Sequence, residues 1–158
     1  MRNSLRIFIA VIFLAACWLF FSGCVYDVPI TAGPTRKIDE RLLGDWASTD
    51  GKDKMKIVRL DASDYVVSYN GDLYRGYHSD VAGTAFVTVQ MLDSAKPQYC
   101  YLAWKLSDDG KSLTLKTVND KVVPDEIKDS ASVRKLLEKN LLNTNLFNPD
   151  AVQFVKQK

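Results

Sequence analysis

The sequence predicts a mainly β protein: an antiparallel β-barrel of about eight strands with one α-helix before the last strand, behind an N-terminal signal helix. Three observations predict this. From Asp45 onward, short runs of β-branched and aromatic residues alternate with turn residues at the spacing of an all-β sandwich or barrel. One late stretch instead carries its apolar residues at helical spacing. The chain has 158 residues, 47% hydrophobic and 25% charged, which suffices for one packed domain and excludes both a large multidomain enzyme and a disordered chain.

The first segment addresses the chain. Arg2 and Arg6 precede an uncharged apolar run from Ile7 to Phe21, followed by Ser22, Gly23 and Cys24, the layout of a secretory signal. Small residues before a cysteine resemble the lipobox of bacterial lipoproteins. That resemblance implies cleavage after Gly23, a diacylglycerol on the sulfur of Cys24 and an acyl chain on its nitrogen. Phe21 departs from the usual Leu. Leu14-Ala15-Ala16-Cys17 is a second match, but cleavage there leaves Trp18-Leu19-Phe20-Phe21 at the start of the mature chain. A third reading is an uncleaved anchor, since Ile7 to Tyr26 is long enough for about 30 Å of helix. Each reading puts the domain in the cell envelope. Val25 in place of Asp after the cysteine resembles proteins sorted to the outer membrane of two-membrane organisms.

On this reading residues 1–23 are the signal peptide, 24–40 a lipidated tether and 41–158 the barrel domain. Losing Arg2 and Arg6 leaves 19 basic and 19 acidic side chains. A neutral domain supports neither nucleic-acid binding nor a polybasic lipid clamp. Pro29, Gly33 and Pro34, with few large apolar residues between Val25 and Lys37, read as a tether reaching at most about 40 Å. Cys100 is the single thiol of the mature chain, so its stability comes from apolar packing.

The strands follow in order. Asp45 to Thr49 is closed by Asp50-Gly51, and Lys54 to Leu60 by Asp61-Ala62-Ser63-Asp64. Asn70-Gly71, between Tyr65 to Tyr69 and Asp72 to Arg75, is a two-residue type I′ hairpin signal, because both residues tolerate positive φ. Ala85, Val87, Val89 and Met91 fall on one face, with Phe86 breaking the alternation. In Tyr99 to Leu106, Cys100, Leu102, Trp104 and Leu106 share a face, and Gly110 is placed for a left-handed turn residue before Leu113 and Leu115. Ser130 is expected to cap a helix running from Ala131 to about Leu142, with Val133, Leu136, Leu137 and Leu141 on its apolar stripe. Ala151 to Lys156 is the last strand.

Leu43-Gly44-Asp45-Trp46 resembles the Gly-x-Trp signature that opens the first strand of lipocalin-like (calycin) barrels. The late helix and terminal strand fit that plan. The resemblance implies that Lys156 packs over buried Trp46 by a cation–π contact. The family's second signature is missing, since Ser63-Asp64-Tyr65 stands too early in the chain. An eight-stranded barrel is either filled by its own side chains or holds one small ligand.

Catalytic chemistry is sparse. His78 is the only histidine, which excludes a His-rich metal site and leaves one base for any triad. Along a strand His78 and Asp80 share a side and Ser79 does not, so His78 reads as a partly exposed strand-end residue. Cys100 alternates with Leu102 and Trp104 as a small buried hydrophobe. Gly71 and Gly76 lack the context of a phosphate loop, no cofactor signature is present, and the chain reads as non-enzymatic. Tyr99 and Tyr101 lie opposite the apolar face of their strand and form an aromatic surface if that face is outward. Two functions follow as expectations: an anchored module binding a small apolar ligand, or an envelope protein docking a partner through Tyr99 and Tyr101. The general layout also resembles small anchored inhibitors of lysozyme or proteases, which usually carry a disulfide.

Overall fold

A computed structural model describes residues 25–158; Cys17, Cys24 and the rest of the signal segment lie outside the described residues. Eight antiparallel strands close into a barrel in chain order: β1 (Gly44–Ser48), β2 (Lys54–Arg59), β3 (Asp64–Tyr69), β4 (Asp72–His78), β5 (Val87–Met91), β6 (Tyr99–Leu106), β7 (Ser112–Thr117) and β8 (Val152–Lys156). One helix, α1 (Ser130–Lys139), precedes β8. Closure between β1 and β8 pairs Trp46 with Lys156 and Ser48 with Phe154, which leaves no open sheet edge.

Turn chemistry sets the register. Asn70 (φ 51) and Gly71 (φ 106) both hold positive φ between β3 and β4, and their hairpin pairs Tyr69 with Asp72. Gly110 takes the left-handed position (φ 68) between β6 and β7.

Cross-strand partners share a face, so the pairing defines the interior. Trp46 is paired with Met55, Met55 with Tyr69, Ile57 with Val67, Tyr65 with Gly76, Trp104 with Leu115 and Leu113 with Phe154. Trp46, Met55, Ile57, Tyr65, Leu113 and Phe154 form one buried apolar cluster, the core inside the barrel. A second cluster lies on the outer face. There Tyr101, Phe86 and Val118 are covered by Tyr26 and Ile30 from the N-terminal segment and by Val133 and Leu137 from α1.

That second core corrects the tether. Residues 26–31 are a strap bound to the barrel wall. Tyr26 exchanges both backbone hydrogen bonds with Tyr99 (2.8 and 2.9 Å) and its hydroxyl donates to the Val123 carbonyl. Its ring stacks on Tyr101 with centroids 3.9 Å apart. Further along, the Tyr77 hydroxyl donates to the Thr31 carbonyl, and Ser79 Oγ lies 2.7 Å from both Thr31 Oγ1 and Thr88 Oγ1. The segment is ordered because its apolar residues, spaced four apart, find an apolar wall and its backbone finds partners.

The helix begins one residue earlier than expected. Asp129, not Ser130, is the N-cap, accepting from the Ser132 amide at 2.8 Å. The Ser130 hydroxyl instead donates to the Pro29 carbonyl and ties the helix to the strap. The helix ends at Lys139, where the Asn140 side chain donates to the Leu136 carbonyl. Among the described residues no helix is long and apolar enough to cross a membrane.

Candidate functional site

The two ends of the barrel differ. At one end the start of β1 and the end of β8 meet a 3-10 turn, Glu40–Leu42, whose N-cap Asp39 accepts from the Arg41 amide at 3.0 Å. Leu42 is buried and its carbonyl accepts from the Trp46 indole at 2.9 Å. Lys156 Nζ lies 5.3 Å from the Trp46 ring centroid and donates to the Arg41 carbonyl at 2.7 Å. Gly44 makes room for this crossing: its φ is +129, and a Cβ there would stand 3.1 Å from Lys156 Cε. Gly44, Trp46 and Lys156 thus form a plug that closes this end.

Above the plug lies a buried polar pair. The Tyr65 hydroxyl accepts from the Asp39 amide at 2.6 Å and stands 3.0 Å from His78 Nε2. The hydroxyl keeps its own proton and a second lone pair, so either Tyr65 or His78 can donate in this contact according to the imidazole tautomer, while His78 Nδ1 is buried with no hydrogen-bond partner among the described residues. His78 is 2% exposed, which corrects its reading as a partly exposed residue. The strap and plug extend the barrel wall past the end of β4 and cover it. Burial, followed by the nearby Arg36 cation, lowers the His78 pKa to about 4. Burial also pushes Tyr65 up to about 12, so the pair is neutral at neutral pH. Trp104 stands edge-on to both rings, at 5.0 Å from His78 and 5.6 Å from Tyr65.

The opposite end, formed by the start of β4 and β6 and the end of β3, β5 and β7, has a different interior. Val67, Val89, Leu102, Trp104, Leu115 and Val152 face the barrel axis through their pairings, yet all are only half-buried. Their partial exposure leaves aliphatic and indole surface accessible at this end, packed against the buried core, with the Trp104 ring against Tyr65 and His78. Cys100 faces the same interior but is buried.

Other groups do not converge on a reaction centre. Ser79 bonds Thr31 and Thr88 on the outer face, away from His78, so no Ser-His pair forms. Among the described residues no cluster of three or more His, Cys, Asp or Glu can hold a metal ion. A groove of about 620 Å³ lies outside the barrel beside Asp45, Lys54, Lys56, Ser68 and Gln157. It is polar-edged and Lys56 is already paired with Asp45 at 3.4 Å.

The aromatic docking face is also corrected. Tyr101 does face outward, but its exposure is 0% because Tyr26 stacks on it and its hydroxyl donates to the Val28 carbonyl; Tyr99 is half-buried beside it. Sequence patterning missed the strap that covers this face. The available signal was Tyr26 and Ile30, two large apolar residues in a segment otherwise rich in Pro and Gly.

A comparison with protein-family models, curated proteins and solved structures finds no match to this chain.

Proposed function

We propose that this protein is a lipid-anchored cell-envelope module that holds a small apolar ligand inside its barrel and performs no catalysis. The observation that carries the reading is the partial exposure of inward-facing Val89, Leu102, Trp104 and Leu115. Ligand sites are concave and mostly apolar with few polar groups, and this interior has that character. The signal with Cys24 supplies the anchor, since two or more acyl chains hold a protein stably where one holds it marginally. The Gly44, Trp46 and Lys156 arrangement supports the likeness to lipocalin-like barrels at the closed end.

The test is a titration of the purified protein with a fluorescent naphthylamine, paired with mass spectrometry of an organic extract. The wild type should enhance the dye's emission. Leu102→Trp, which adds bulk inside the barrel, should weaken dye binding at least tenfold while keeping the thermal midpoint within a few degrees. Absence of both dye binding and extractable ligand would remove the binding reading. For the anchor, the intact mass should show loss of residues 1–23 and added acyl mass at Cys24; retention of Met1 without acyl mass would remove it.

A further inference from the structure

The strap turns a question of attachment into one of orientation. Tyr26 is locked by two backbone hydrogen bonds to Tyr99, the first residue of β6. Tyr99 stands at the open end of the barrel, opposite the plug. Residue 24 is two residues from Tyr26, so the anchored residue lies within about 7 Å of this rim however the chain bends. A domain on a forty-ångström leash would tumble freely; one fixed this closely presents a defined face to its membrane.

Two exposed leucines stand on the rim next to this point. Leu73 opens the outer face of β4, Leu92 follows β5, and the Leu92 amide donates to the Leu73 carbonyl at 3.0 Å, so the two side chains are cross-strand neighbours. They are 47% and 48% exposed. Leu92 lies two strand spacings across and two residues along from Tyr26, about 12 Å. Near the rim Asp50, Asp53, Asp72 and Asp93 outnumber Lys52, Lys54 and Lys96, so charge does not draw this face to an anionic bilayer and apolar insertion governs the contact. Leu60, 55% exposed, lies beyond β2 at the plugged end, where the chain supplies no anchor.

We propose that the rim carrying Leu73 and Leu92 seats on the lipid bilayer that holds residue 24, so that the apolar barrel interior opens toward the membrane and takes its occupant from it. The bilayer, not a soluble donor, is then the source of the ligand, and the occupant is a membrane amphiphile with its chain in the barrel. This rests on the anchored-module reading above.

The experiment uses the full-length processed protein in vesicles of phosphatidylethanolamine and phosphatidylglycerol. In a Cys100→Ala background, Leu73→Cys, Leu92→Cys and Leu60→Cys are labelled with an environment-sensitive fluorophore and quenched with aqueous iodide, circular dichroism verifying the fold of each. Labels at positions 73 and 92 should shift to the blue and be quenched at least threefold less than the label at position 60. Equal quenching at all three positions, with the protein still floating with vesicles, overturns the orientation and leaves the anchor intact. Failure to float with vesicles overturns both. Hydrogen exchange of residues 92–98 gives a label-free check: slowing on vesicles supports the seating, and unchanged exchange argues against it.

Discussion

The Tyr65 hydroxyl and His78 Nε2 stand 3.0 Å apart inside the barrel, and this pair ties the protein's stability to pH. Burial lowers the folded His78 pKa to about 4, against an ordinary 6.5. Between these values the unfolded chain binds the proton and the folded chain does not, so unfolding gains as pH falls. The contribution is complete above pH 6.5 and lost on the way to pH 4. The loss should be about 2 kcal/mol, less than the full shift implies because Arg36 and Asp80 are partly screened by solvent. Urea unfolding at pH 7, 5.5 and 4.5 measures it. His78→Phe should flatten this slope. Asp39 and Asp50, held below the usual carboxylate range by hydrogen bonds from Arg41 and Ser48, lose their contributions only at still lower pH.

Gly44 separates backbone strain from crowding. Its φ of +129 is unfavourable for any side chain, whereas the 3.1 Å approach of Lys156 Cε involves the far end of a flexible chain that can withdraw. Gly44→Ala should therefore destabilise the protein by about 1–3 kcal/mol, chiefly through the backbone. Combining it with Lys156→Ala should recover little of that loss. Full recovery in the double variant, measured by denaturant unfolding, would show that contact rather than conformation makes glycine necessary.

The strands were legible where one face alone is buried. Alternation places β2 within a residue of its observed bounds, and Asn70-Gly71 marks the hairpin that pairs β3 with β4. Alternation fails where both faces are covered. Phe86, Thr88 and Tyr101 on the outer wall are as buried as residues inside, because the strap and α1 pack over them. No local pattern announces that cover, since the strap pairs with Tyr99 across more than seventy residues and carries Pro29, Gly33 and Pro34. The plug was legible through Gly44 and Trp46; its 3-10 turn and the Tyr65–His78 pair depend on tertiary contacts. The half-buried state of Val67, Leu102 and Leu115 was not legible, because an aliphatic side chain near a barrel's open end has the same sequence pattern as one deep in its core.

Tyr101 tests whether the outer aromatic face is packing or recognition. Its ring lies against Tyr26 and its hydroxyl donates to the Val28 carbonyl, so truncation leaves a cavity between wall and strap. Tyr101→Ala should cost about 3–5 kcal/mol, and Tyr101→Phe about 1 kcal/mol for the hydroxyl. Hydrogen exchange should rise together in residues 25–31 and in α1, because the strap and the helix share this core. A face reserved for a partner behaves otherwise: both substitutions would leave urea unfolding and exchange unchanged in the isolated protein. The graded loss from Phe to Ala, appearing without any partner present, is the outcome the packing requires.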